Sequence, residues 1–286
     1  MTHPPEQTDG QSPADQSQHG RIYGAARYYD IAFAYRDFVE ECDFLMSAAA
    51  RHLGRAPASV LELAAGPANH AIELARRGLD AAALDREPAM VRYGSEKAEA
   101  AGVRVNYHQG DMTGFSLDRP VDLALLLLGS AACLLTNSAV ISCMQRVSEA
   151  LTPGGVLIIE LPHPRELFNI DDATEDGWEV TRDGTRVRVR WGSPGDSLDP
   201  VSQIAQVTTT LTIWDGGRKQ VIRDKAFQRR FTVQELDALA RASGGLDAVA
   251  WFGGLDLDVA IDDPEEAWRM VAVLQKPAIP PALPNA

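Results

Sequence analysis

The sequence predicts an α/β protein built on a mostly parallel seven-stranded sheet with helices on both faces. Three observations predict it. Short apolar runs alternate with helix-period segments from residue 59 to residue 161, some of the runs are unbroken (Leu123 through Leu128), and small residues and acids gather where the first strands should end. An unbroken apolar run marks a strand covered on both faces, and strand–helix repeats of this length close into a parallel sheet by right-handed crossovers.

Taken in order, residues 1–20 are rich in Gln, Pro, Asp and Ser and are expected to form a disordered tail, because they bury too little apolar surface to offset their ordering entropy. From residue 28 to 52, Ile31, Phe33, Phe38 and Leu45 recur at helical spacing, which predicts one or two amphipathic helices as an N-terminal cap placed to cover a site. Strands are then expected at 59–64, 81–85, 103–108, 121–128 and 156–161, with helices at 68–77, 88–101 and 137–151 between them. After Pro162 the pattern turns to period two around 185–191, 204–214 and 220–227, punctuated by Asp183-Gly184 and Asp215-Gly216-Gly217. This predicts an antiparallel β insertion at 165–228, serving as substrate cover or homodimer contact. Thr232 and Glu235 have the spacing of a capping box, and Gly244-Gly245 stands where that helix should stop. Strands near 246–252 and 269–276 complete the sheet, so the α/β domain comprises residues 21–164 and 229–276. The Pro-rich end at 277–286 is a tail.

Composition narrows the function. In 286 residues the net charge is -13, and a strongly acidic field repels polyanions, which argues against a nucleic-acid partner. Three cysteines without CxxC spacing and six scattered histidines without an HExxH pair argue against a disulfide framework and against a protein-held metal. No apolar run approaches the roughly 20 residues of a membrane span, and no signal-peptide stretch opens the chain, so a cytoplasmic protein acting on a small molecule is expected.

In an open α/β sheet, ligands bind outside the carboxyl ends of the strands, so the turns matter most. The first reads Glu62-Leu63-Ala64-Ala65-Gly66-Pro67-Ala68-Asn69, small enough for a ligand to approach the backbone near a helix start. The second carries Asp85, about 20 residues after the glycine turn, where an acid accepts hydrogen bonds from both hydroxyls of a ribose. Each has a plainer reading: a helix cap or turn aspartate for Asp85 and Asp111, a structural ion pair for Glu62, a simple turn for Gly66, core packing for Met90. His70, just inside the first helix, reads as a helix-end hydrogen-bonding group.

Four segments, VLELAAGPAN, ALDREPAM, QGDM and LTPGGVLIIE, make the chain resemble the class I S-adenosylmethionine-dependent methyltransferases, whose fold is Rossmann-like. The resemblance implies S-adenosylmethionine as cofactor. It implies that Glu62 and the backbone from Ala64 to Gly66 hold the methionine end, Asp85 the ribose, Arg86 and Met90 the faces of the adenine, and Asp111 and Met112 its edge. Leu127 and Leu128 would lie beside the sulfonium. Family members often have glycine where Ala64 and Ala68 stand, and alanine is comfortable there only at negative φ. Within the family the layout is similar to amino-sugar and glycine N-methyltransferases, through YYDIAFAYRDF, the turn Leu128-Gly129-Ser130 and the β insertion. That likeness implies an N-terminal tyrosine, Tyr28 or Tyr35, on the methionine carboxylate, and an amine acceptor of secondary metabolism. Cys133 stands where some amino-sugar enzymes have an aromatic or His soon after the turn, so their substrate is not carried over.

Methyl transfer from a sulfonium is an in-line displacement, so the protein must mainly align the nucleophile and exclude water. An amine must be neutral to attack and a hydroxyl usually needs a base. Glu160 and His163, which flank the end of the fifth strand, and Asp30 on the cap are the candidate bases. An O-methyltransferase, a dinucleotide-dependent oxidoreductase with a depleted glycine turn, and a non-catalytic binding or dimerisation module are the competing readings.

Overall fold

The computed structural model describes residues 21–167 and 176–278; the expected tails at 1–20 and beyond 278 lie outside the described residues. Seven strands form one sheet: β1 (Ser59–Leu63), β2 (Asp80–Asp85), β3 (Val105–Gln109), β4 (Val121–Leu126), β5 (Leu151–Pro162), β11 (Asp247–Phe252) and β12 (Arg269–Gln275). Their spatial order is β11-β12-β5-β4-β1-β2-β3. The strands from β3 across to β5 are parallel, whereas β12 runs antiparallel to both its neighbours. Helices Asn69–Arg76, Pro88–Ala100 and Asn137–Ala150 make the crossovers. All of β4 is buried, as its unbroken apolar run requires.

The chain lays β1, β2 and β3 outward in one direction and then returns to place β4 on the other side of β1. The order therefore reverses between β1 and β4, and the crevice beyond their carboxyl ends is the natural ligand position. The last two residues of the apolar run do not belong to β4. Leu128 turns at φ 53° and Gly129 at φ 70°, which ends the strand at Leu126. At the other side β5 is longer than the pattern at 156–161 predicts. Leu151, expected to close the preceding helix, already pairs with Val121 across an irregular register.

The second sheet is the antiparallel order β10-β9-β7-β6, from β6 (Asp176–Arg182), β7 (Thr185–Trp191), β9 (Ile204–Asp215) and β10 (Arg218–Arg229), with β8 (Ser197–Asp199) added on β9. Both turn signals are two-residue hairpins: Asp183-Gly184 at φ 51° and 75° between β6 and β7, and Gly216-Gly217 at φ 55° and 76° between β9 and β10. Two positive φ values in succession match the twist of the flanking strands.

The N-terminal helices Arg21–Gly24, Ala26–Ala32 and Phe38–Leu53 connect the two sheets. Ile22, Ile31 and Ala32 pack against Val187, Val189, Leu211 and Ile213 of the second sheet. Each isoleucine so buried is worth roughly 1.5–3 kcal/mol. Cys42, Phe44, Leu45, Ala48 and Ala49 of the third helix pack on the large sheet instead. The crevice is thus roofed from the first residues described. No helix among the described residues is long and apolar enough to cross a membrane.

Candidate functional site

A cavity of about 1060 Å³ opens beyond the carboxyl ends of β1, β2, β4 and β5 and runs under the N-terminal helices to the second sheet. It lies at the upper end of the usual span of about 300–1,000 Å³ for a ligand pocket, which is room for a large ligand. Glu62, Ala64, Gly66, Asp85, Arg86, Met90, Asp111, Met112 and Leu128 line it, as do Tyr35 and His163. Leu127, Tyr28, Glu160 and Asp30 do not line it.

The half of the cavity beyond β1, β2 and β3 is built from backbone turns. Asp85 accepts the N–H of Gly66 at 2.8 Å on Oδ2 and that of Glu87 at 2.8 Å on Oδ1. One lone pair on each oxygen is left, which suits two vicinal hydroxyls. Burial pushes its pKa upward, more than those two N–H groups lower it. Asp111 uses only Oδ1 within the chain, for the hydroxyl and N–H of Thr113 at 2.6 and 2.8 Å, which hold its pKa below the usual range and leave Oδ2 without a partner among the described residues. Gly66 turns at φ 53°, and a Cβ there would meet Met90 Sδ at 3.9 Å and Tyr29 Cε1 at 4.0 Å, so its missing side chain keeps the cradle open.

Ala64 and Ala68 depart from the comfortable geometry: both sit in the left-handed region, at φ 49° and 57°. Leu128 shares it. Such residues cost of order 1 kcal/mol or more each and persist where surrounding contacts over-determine them. Ala68 is fully buried, and the Leu128 N–H is held by Glu160 Oε2 at 2.9 Å. A further prop is Tyr107, whose hydroxyl donates to the Gly66 carbonyl. A Cβ on Gly94 would lie 2.4 Å from Tyr107 Cε1 and 3.3 Å from the Gly66 oxygen. Gly94→Ala is therefore expected to cost about 1–3 kcal/mol by overpacking and to weaken cofactor binding with it, read by urea denaturation and by calorimetry.

A line of buried charges runs behind the cavity. Glu62 meets His70 Nδ1 at 3.1 Å and accepts the Ala71 N–H at 2.8 Å; His70 Nε2 meets Glu41 at 2.8 Å; Glu41 accepts from Arg36 Nε at 2.7 Å; Arg36 reaches Glu160 at 3.2 Å, and Arg269 lies 3.3 Å from Glu160. His70 is fully buried, which disfavours its charged form, yet its bonds to Glu41 and Glu62 overcome that and raise its pKa to about 9. It is a bridge between two carboxylates, more than the helix-end group the sequence suggests. Glu62 lines the cavity and is ion-paired as well.

The three candidate bases need correcting. Glu160 is 1% exposed and committed to Arg36, Arg269 and the Leu128 N–H; burial alone would raise its pKa, but the two guanidinium groups hold it below the usual carboxylate range. His163 reaches the cavity with both ring nitrogens occupied. Nδ1 accepts the Arg165 N–H at 3.1 Å, so Nε2 is the protonated one and donates to the Ile261 carbonyl at 2.9 Å. Neither nitrogen can take a proton from a substrate. Asp30 is 1% exposed and bound by Lys97 at 2.7 Å, Arg182 at 2.6 Å, Tyr93 at 2.9 Å and Asn69 at 3.1 Å, outside the cavity. It ties the N-terminal cap to the large-sheet domain and to β6.

Tyr28 is also displaced from its expected place. Its hydroxyl bonds Asp215 at 3.1 Å beside Arg27, while Tyr29 and Tyr23 turn into the cavity. One residue of helical phase, about 100° of rotation, separates the two positions. Tyr35 stands at the rim, 55% exposed. Leu127 is buried in the core behind the turn rather than in the cavity wall.

Beside Phe33 of the cap, the far half of the cavity is lined by residues the motifs do not mark: Trp178, Trp191, Trp268, Gln206, Gln228, Arg230 and Arg269. Trp178 donates its N–H to the Ala32 carbonyl at 2.7 Å and stacks on Trp191 with centroids 6.4 Å apart. Cys133 lines the cavity, while Cys42 and Cys143 are buried; all three are free thiols. No cluster of three metal-ligating side chains occurs among the described residues.

Residues 60–155 match the family model of a methyltransferase domain. A Streptomyces venezuelae dTDP-3-amino-3,4,6-trideoxy-alpha-D-glucopyranose N,N-dimethyltransferase is 29% identical over 133 residues, 45% of this chain and 52% of that protein. The match thus spans about half of that relative. Among solved structures, a Clostridium acetobutylicum S-adenosylmethionine-dependent methyltransferase superposes with TM-score 0.73 at 16% identity, over 89% of this chain and 98% of that one. Streptomyces venezuelae DesVI gives TM-score 0.73 at 21% identity with the same coverage. At these identities the two structures establish the shared fold.

Proposed function

We propose that this chain, an S-adenosylmethionine-dependent methyltransferase of the class I fold, methylates the nitrogen of a small-molecule amine. The observation that carries the reading is that no free base faces the far half of the cavity among the described residues: its carboxylate, Asp196, is held by the N–H groups of Ser193 and Thr208 and by the Thr208 hydroxyl, and both ring nitrogens of His163 are bonded. The carboxylates with open oxygens, Asp85, Glu87 and Asp111, follow β2 and β3 at the other end, and Glu62 is paired with His70. A hydroxyl acceptor would need such a base in the transition state; a neutral amine attacks with its own lone pair and can release its proton to water afterwards.

When bound, the cofactor supplies a methyl group already activated on a sulfonium. The chain's task is then placement. In this reading Asp85 holds the ribose hydroxyls, Asp111 Oδ2 and the backbone at Met112 take the adenine edge, and Arg86 and Met90 flank the ring. The turn from Ala64 to Gly66 receives the methionine end beneath Tyr29. Leu128, fixed by Glu160, lies at the meeting of the two halves. Trp178 and Trp191 offer aromatic surface that attracts the ammonium product and excludes water, while Arg269 already lies over the Trp268 ring at 4.2 Å. The amino-sugar N,N-dimethyltransferase named above supports an amine acceptor, and secondary metabolism is the setting we infer.

Transfer of a labelled methyl group to a panel of amines and matched alcohols tests this. Amines alone should be methylated, with kcat/KM rising with pH through each amine's own pKa and then levelling. Methylation of alcohols, or one common pKa for amines of different basicity, would place a protein base in the mechanism and overturn it. Cofactor binding without any turnover favours a non-catalytic module.

A further inference from the structure

Four guanidinium groups reach the cavity wall, and three of them have a carboxylate nearby, although Arg269 Nε makes no hydrogen bond among the described residues. Arg36 and Arg269 share Glu160, and Arg36 also binds Glu41. Arg86 is exposed and stands close enough to Asp85 and Asp111 to lower the pKa of both. Arg230 has no carboxylate among the described residues. Among the described residues its one side-chain hydrogen bond runs from Nη1 to Gln228 Oε1 and is long at 3.5 Å, and its Nε is buried without a partner. The neighbouring Arg229 differs in having a carboxylate, Glu235, with Asn137 beside it, although its Nε and Nη1 are also buried without a hydrogen bond among the described residues. The Arg230 backbone is fixed, its N–H donating to the Gln203 carbonyl at 2.8 Å.

Burying a guanidinium without a counter-charge is costly, and burial lowers its pKa. A group held in this state beside a cavity is prepared for a charge that arrives with a ligand. The wall around it is suited to that: Gln228 lies two residues before it, at the end of β10, and Ala205, opposite Gln228 in the register, lines the same cavity. The planar fork of arginine matches the oxygens of a phosphate or carboxylate.

We propose that Arg230 is the anion-binding residue of the acceptor site, so that the amine acceptor carries an oxyanion, a phosphate ester or a carboxylate, elsewhere on the same molecule. This rests on the reading of the cavity as an amine-methylating site, but its test does not need turnover. The protein saturated with S-adenosylhomocysteine is titrated with inorganic pyrophosphate and, separately, with succinate, at constant ionic strength held with chloride, and thermal stability is followed. One of the two anions should raise the melting temperature of the wild type, pyrophosphate pointing to a phosphate ester and succinate to a carboxylate. In Arg230→Gln the half-saturating concentration should rise about tenfold or more, in Arg230→Lys less, with affinity for S-adenosylhomocysteine retained in both. If neither anion shifts the wild type, or if both variants respond as the wild type does, the proposal is overturned. Should Arg230→Gln not fold, the wild-type titration and Arg230→Lys decide it. An anion response that depends on Arg230 together with no methylation of any amine would sink the reaction assignment and leave the anion subsite standing.

Discussion

Asp85→Ala should lower affinity for S-adenosylmethionine by at least about a hundredfold in calorimetry, at roughly 1.5–3 kcal/mol for each hydrogen bond accepted by a charged group and 1.4 kcal/mol per tenfold. The loss has two sources. Two ribose hydroxyls lose their acceptor, and the N–H groups of Gly66 and Glu87, each held at 2.8 Å, lose theirs. The turn from Ala64 to Gly66, proposed to receive the methionine end, is thereby loosened as well. Asp85→Asn separates the two, since its single carbonyl oxygen can keep one of these bonds, and it should fall between wild type and alanine. Because burial raises the Asp85 pKa, wild-type affinity should weaken on acidification at a higher pH than an ordinary aspartate would impose. That dependence should vanish in Asp85→Asn. Unchanged affinity in the alanine variant would remove Asp85 from the site.

The parts of this arrangement that could be read from the sequence are those in which position along the chain and position in space coincide. Parallel strands put their turns at one edge of the sheet, so Gly66, Asp85 and Asp111 come together whatever the side chains between them do. The roles of Glu160, His163 and Asp30 were not legible in the same way. Each stands near the cavity, as its place at a strand end or on the cap implies, but what it does there is set by partners far away in sequence: Arg36 and Arg269 for Glu160, the Ile261 carbonyl for His163, Lys97 and Arg182 for Asp30. Period alone could not distinguish Tyr28 from Tyr29, since a helix that is apolar on much of its surface leaves its phase open by one residue. β6 is hard to read because its apolar alternation is only two residues long, Trp178 and Val180 in DGWEVTR. With it goes Trp178, and with the rest of the insertion the acceptor wall.

The left-handed alanines are of the other kind, a local conflict that the sequence did announce. Ala64 and Ala68 stand where a residue without a Cβ would be relaxed, and the fold holds them there all the same. Strain at a ligand-facing turn persists only if its supports are strong, and the strongest support on this side of the cavity is the chain of charges through His70.

His70→Gln is accordingly expected to cost about 3–5 kcal/mol of unfolding free energy near neutral pH, the range for breaking a buried ion pair, because Glu41 and Glu62 would face each other across a neutral side chain. The pH dependence gives a sharper test. A histidine whose folded pKa is about 9 and whose unfolded value is near 6.5 takes up a proton on folding between those limits. Its contribution is therefore complete below about pH 6.5 and is lost as pH rises through about 9, on the order of 3 kcal/mol across the window. Urea denaturation of the wild type at pH 6 and pH 9.5 should show that decline, and His70→Gln should lack it. Glu41→Gln should make His70→Gln milder, since one of the two stranded carboxylates is then gone, and the double variant should be more stable than the sum of the single losses allows. An equal decline with pH in wild type and His70→Gln would mean that His70 is neutral in the fold. Glu41 would then be held by Arg36 alone, and the helix Phe38–Leu53 would be fastened to the first turn of the sheet by packing rather than by charge.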